Sequence, residues 1–185
     1  MTLALGAGGC WHRPARSPAA AYERFAAAVR AGDAAALYRA LDQPSQWSVI
    51  STQRYYREIV ALVSQGYPPE ARQRELQRVA GAEGSRPPAF FATQSARRSN
   101  VWLSRYAAGL GAVTRVEEAG PRATVHTDQG GRYEFGYTQP HGWGFAGLRT
   151  ELEELKGRAS HDVDTARENV KIYEQSGRGG AEPSP

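Results

Sequence analysis

The hydrophobic pattern changes period twice along the chain, and that limits the folds open to it. Up to about residue 110 the apolar residues recur at helical spacing. Then VTRVEEAG, PRATVHTD, RYEFGYTQ and HGWGFAGL alternate with period two, parted by Gly-Pro, Asp-Gln-Gly-Gly and Pro-His-Gly. These are turn signals between short strands, and such close spacing predicts an antiparallel meander. From Leu148 the helical period returns: Leu148, Leu152, Leu155, Ala159, Val163, Ala166, Val170 and Tyr173 form a near-heptad stripe. Helices packed on a curved antiparallel sheet of three to four strands, then one long helix, make an α+β plan.

The helical part has readable punctuation. Ser17-Pro18 suits a helix start, with Tyr22, Phe25, Ala26 and Val29 on one face. Gly32 interrupts, and Asp33 can cap a second short helix bearing Ala36, Leu37, Ala40 and Leu41. Gln43-Pro44 is expected to end it. QWSVI (46–50) reads as a short strand or as the entry to a helix capped by Ser51 or Thr52. That helix has Tyr55, Tyr56, Ile59, Val60 and Val63 as its apolar positions and closes at Gly66. Pro68-Pro69 opens a polar helix to about Ala80, GAEGSRPP is a loop, and VWLSRYAAGL is a further helix. The last residues, 176–185, read as a disordered tail.

Composition excludes several classes of function. Hydrophobic residues make up 41% of 185, enough for one core of ordinary size. No apolar run approaches the ~20 residues of a membrane-spanning helix. The net charge is +4, but the arginines are interspersed with acids, as in EARQRELQR and TARENVK, and lysine occurs only at Lys156 and Lys171. Interspersed charge is a solvated helix face, so no nucleic-acid partner is expected. One cysteine forbids an internal disulfide, and no Cys/His cluster has zinc spacing. His161, Asp162 and Asp164 are a solvated helix face rather than a metal site, so no cofactor or metal is implied.

That cysteine closes the stretch MTLALGAGGC. Ala7-Gly8-Gly9-Cys10, preceded by Leu3-Ala4-Leu5, resembles a bacterial lipobox, in which the cysteine is lipidated and becomes the first mature residue. The expected division is a shortened signal peptide (1–10), a tether (11–17), an α+β domain (18–148), a helix (149–175) and the tail. The resemblance implies a lipoprotein anchored through Cys10 and facing the periplasm; the alternative is a cytoplasmic protein in which Cys10 is a free thiol.

AYERFAAAVRAGDAAALYRAL looks like the paired opening helices of the NTF2-like superfamily, the cone of SnoaL-like and ketosteroid-isomerase-like proteins. The ending is similar too: Gly120, Ala123 and Val125; then Tyr133, Phe135 and Tyr137; then Gly142, Trp143 and Phe145. The resemblance spans about residues 17–148 and implies a cone whose interior can hold a small molecule. Enzymes of that family place a carboxylate or histidine inside an apolar pocket, where burial tunes it. Strand alternation here turns Ala123, Val125 and Thr127 inward with Tyr133, Phe135, Tyr137, Trp143 and Phe145, and turns His126 outward. That inward set carries no ordinary acid or base, although Tyr55, Tyr56 and Asp33 could enter from the helices. His12 and His141 sit in the tether and a turn.

The sequence thus favours a non-catalytic, lipid-anchored binding or scaffolding module. Its ligand surface would be Tyr133, Phe135, Tyr137, Trp143 and Phe145. One alternative is a cytoplasmic protein with isomerase- or dehydratase-type activity. Another is an assembly protein that associates through Leu148, Leu152 and Leu155. For the final helix the favoured expectation is that it folds back over the sheet.

Overall fold

The computed structural model describes residues 14–81 and 85–179. Cys10, the first three residues of the expected tether and the last six residues lie outside them. Helix α1 (Pro18–Arg30) starts where Ser17 Oγ accepts the Ala20 N–H at 3.2 Å. Asp33 caps α2 (Ala34–Ala40) by accepting the Ala36 N–H at 2.8 Å.

The next boundary corrects the sequence reading. Gln43-Pro44 opens a helix rather than ending one: α3 runs Gln43–Gly66, with Asp42 as its cap, accepting the Ser45 N–H at 3.1 Å. Proline lacks an N–H that the first helical turn does not use, so the same residue marks a stop or a start. The carboxylate just before it decides which. QWSVI is therefore helical, and Thr52 caps nothing; its hydroxyl donates to the Ser48 carbonyl at 2.8 Å.

Helices α4 (Pro69–Arg78), α5 (Pro87–Arg97) and α6 (Val101–Ala107) follow. Helix α5 opens on the prolines of a stretch that reads as loop, and buries Phe90 and Phe91. Strands β1 (Val113–Ala119), β2 (Arg122–Thr127), β3 (Arg132–Thr138) and β4 (Gly142–Phe145) form one antiparallel sheet in the order β1-β2-β3-β4. Helix α7 runs Arg149–Gly179, past residue 175 into the expected tail. Among the described residues no helix is long and apolar enough to cross a membrane.

Two cores result. In the head, α1, α2, α5 and α6 join the inner face of the sheet; Tyr22, Phe25, Leu37, Val125, Phe135, Phe145 and Leu148 are all completely or almost completely buried. In the arm, Ile59 and Val63 of α3 meet Val163 and Ala166 of α7, with Tyr67 and Val79 from around α4. The two arm helices run in the same direction. Arg149 is paired with Asp42, Glu153 with Ser48, and Arg167 with Glu58, so partners advance together. The apolar stripe of α7 thus lies along α3 rather than over the sheet.

That placement also corrects the association reading. Leu148, Leu152 and Leu155 are 0%, 1% and 5% exposed within their own chain. They have no surface left to offer another copy in this conformation.

Two glycines let head and arm meet. Gly136 and Gly144 are paired on neighbouring strands. A Cβ at Gly144 would lie 2.6 Å from the Asp42 backbone, and one at Gly136 would lie 2.8 Å from the Arg149 guanidinium. The α3 cap can reach the sheet only because both side chains are missing.

Candidate functional site

The head interior was the expected ligand surface, and its three deepest rings fill it themselves. Phe25 of α1 stacks on Phe145 with centroids 4.0 Å apart and meets Phe135 and Tyr133 at 6.4 and 5.3 Å. Tyr106 closes the group edge-on to Phe145 at 5.0 Å. These spacings are ring-to-ring contact in a packed core. The tyrosine hydroxyls are spent on the backbone: Tyr133 donates to the Tyr106 carbonyl at 3.1 Å, and Tyr22 donates to the Gly111 carbonyl at 2.8 Å. Burial pushes the Tyr133 hydroxyl up to about 12, so it stays a proton donor to that carbonyl.

The other two expected pocket residues behave differently. Tyr137 is 40% exposed, and Trp143 is half-buried; their rings pair at 5.5 Å at the end of the sheet. Alternation fixes which face a side chain takes, not whether anything covers it. Tyr137 is thereby corrected from an inward ring to a rim residue.

At that rim lies a cleft of about 520 Å³, along the edge of β4. Two passing segments define it. The Trp143 N–H donates to the Ala15 carbonyl at 3.0 Å at one end, and the Asp42 N–H donates to the Phe145 carbonyl at 2.9 Å at the other. Between them, Trp143 supplies an aromatic wall and Tyr38, Arg24, Arg39, Gln46 and His141 the polar lining.

The charges of this lining are unequal. Asp42 is its sole acid, and its carboxylate is fully buried. One oxygen caps α3, and the other accepts both Nε and Nη2 of Arg149. Its charge is therefore answered before any ligand arrives. Arg39 has only a 3.9 Å approach to exposed Asp33, which is weak in solvent. Arg24 is exposed and has no ion pair among the described residues. Tyr38 is 7% exposed, and its hydroxyl has no hydrogen-bond partner among the described residues. Burial pushes its pKa up to about 12, so the hydroxyl is a standing donor. Gln46 is already used, donating to the Leu41 carbonyl at 3.0 Å.

The remaining candidates sit elsewhere. His126 is on the outer face of the sheet, 3.4 Å from Glu117, close enough to attract when protonated but without hydrogen-bond geometry. Asp33 caps α2, Tyr56 packs edge-on to Phe90, and Tyr55 joins the arm. Asp162 pairs with Arg78 at 2.6 Å and Asp164 with Arg167 at 3.0 Å. Among the described residues, no three His, Cys, Asp or Glu side chains come together as a metal site.

Of the ligand-surface residues expected from sequence, the cleft uses Trp143 alone. Tyr38, Arg24 and Arg39 were missed. Tyr38 follows the buried Leu37 on a seven-residue helix, and that adjacency is the one local signal that it faces inward. The arginines look like any solvated helix charge. The chain matches no protein-family model, no curated protein and no solved structure.

Proposed function

We propose that this protein is a non-catalytic binding module that takes a small ligand in the cleft along β4. The observation that carries this is the filled interior: Phe25, Tyr133, Phe135 and Phe145 touch one another where a catalytic cone would keep an acid or base in a hollow. In the cleft, Asp42 is committed to Arg149 and to the α3 cap, so it is not free to act as a general base. Two opening helices followed by a meander whose aromatics meet α1 support an NTF2-like ancestry whose cone has closed.

A fragment screen on the full chain by amide and indole NMR tests the reading. Hits should shift the Trp143 indole and Gly144, and incubated fragments should be recovered unchanged by mass spectrometry. Hits centred on Val125 and Phe135, or chemical conversion of a fragment, would contradict it.

The lipobox-like Ala7-Gly8-Gly9-Cys10 supports tethering to the cell envelope. A diacylglyceryl group on Cys10 in the N-terminal peptide from the host's membrane fraction is the expected result. An unmodified chain beginning at Met1 in the soluble fraction would defeat that part.

A further inference from the structure

The cleft reading says that something small binds; its lining goes further and specifies charge. Arg24 of α1 and Arg39 of α2 border the 520 Å³ cleft together. The same two side chains also border a second hollow of about 290 Å³ between their helices. Sharing both places them on one seam. A guanidinium presents a planar fork of donors that matches carboxylate or phosphate oxygens. Nothing in the fold saturates these two: Arg24 is unpaired among the described residues, and Asp33 reaches Arg39 only at 3.9 Å. His141 adds a third group that can donate.

A second observation is independent of the arginines. Tyr38 is more than nine-tenths buried, lines the cleft, and has a hydroxyl without a partner among the described residues. The hydroxyl itself is open to solvent at the cleft surface, where it can donate to a ligand. The only carboxylate in the lining is shut away and neutralised against Arg149. Trp143, half-buried, lines the same cleft.

We propose that the β4-edge cleft binds a small organic anion, with its phosphate or carboxylate on Arg24, Arg39 and the Tyr38 hydroxyl and its planar apolar body against Trp143. This rests on the binding-module reading above and names the ligand class for that site.

Trp fluorescence titration of the full chain tests it with four probes: phenyl phosphate, benzoate, benzyl alcohol and benzylammonium. The two anions should change the emission saturably, and the change should vanish in Trp143→Phe. Arg24→Gln and Arg39→Gln should each weaken phenyl phosphate at least tenfold. Tyr38→Phe should weaken it severalfold, with the far-UV dichroism of each variant unchanged. Arg115→Gln, on the exposed outer strand, should bind as the parent does.

If benzyl alcohol or benzylammonium binds as tightly as the anions, or the arginine variants bind normally, the anion assignment is overturned while the cleft reading stands. Inorganic phosphate binding as tightly as phenyl phosphate would remove the role of Trp143 and overturn the proposal in its stated form. If no probe moves the Trp143 signal, the anion assignment falls; fragment hits at Trp143 in the NMR screen would then show that the cleft reading outlives it.

Discussion

The head and the arm bury side chains of different kinds, and the contrast explains where the chain can bind anything. The head is cross-linked through rings: Phe25 alone meets Tyr22, Tyr106, Tyr133, Phe135 and Phe145. The arm relies on Ile59, Val63, Val163 and Ala166, with one aromatic contact, Tyr67 to Tyr173 at 5.1 Å. Large rings bury more apolar area per residue and interlock in few ways. A frame locked in this manner holds a rim cleft in a fixed shape, and its interior has no room for a guest. The smaller side chains of the arm let two helices run close, and Gly66 lies directly against Val170.

The largest effects should come from breaking the head. Phe25→Ala removes a ring with five aromatic neighbours and should cost about 3–5 kcal/mol, read by chemical denaturation. Gly144→Ala should be comparably damaging, because its Cβ would meet Asp42 and Leu41 backbone at 2.6 Å. A loss under 1 kcal/mol in both would mean that the head is not the rigid half.

The link between the regions comes next. Arg149→Met leaves the buried Asp42 carboxylate without its cation and should cost about 3 kcal/mol. The double variant Asp42→Asn, Arg149→Met should recover part of that, which a merely steric loss would not do.

In the arm, Val163→Ala should cost about 2 kcal/mol. Truncation after Lys156 should strip the cover from Ile59 and Val63, yet leave a cooperative head with a lower Tm. Hydrogen exchange should then rise in α3 and α4 and stay slow in β2 and β3. Complete unfolding of the truncated chain would show one core, not two.

The smallest effect concerns Glu153. Its carboxyl is held below the ordinary range by hydrogen bonds from Lys156 and then Ser48. A depressed folded value stabilises above the unfolded value, near 4.5, and the gain is lost as pH falls through the folded value. The Tm gap between the parent and Glu153→Gln should therefore narrow from pH 6 to pH 3. The side chain is well exposed, so the gap should be slight even at pH 6.

Much of this fold could be read from period alone. The four strands fall inside the four alternating stretches, and His126 lies on the outer face where alternation puts it. What escaped were features decided by a single neighbouring residue or by tertiary cover. Asp42 turned Pro44 from a helix end into a helix start. Pro87-Pro88 read as loop, although proline is equally at home in a first helical turn. The stripe on α7 was correct as a pattern, but a stripe does not say which element meets it; α3 does. The site was harder still. Trp143 was visible as an aromatic on a short strand, whereas Arg24 and Arg39 become partners only when α1 and α2 pack beside β4. No local pattern records that meeting.

The most direct test of the account is a crystal structure of the full chain grown with phenyl phosphate. The account predicts phosphate at Arg24, Arg39 and the Tyr38 hydroxyl, the phenyl ring against Trp143, and Phe25, Phe135 and Phe145 still in mutual contact. A phenyl ring lodged among those three phenylalanines, or a cleft left vacant at saturating ligand, would contradict it.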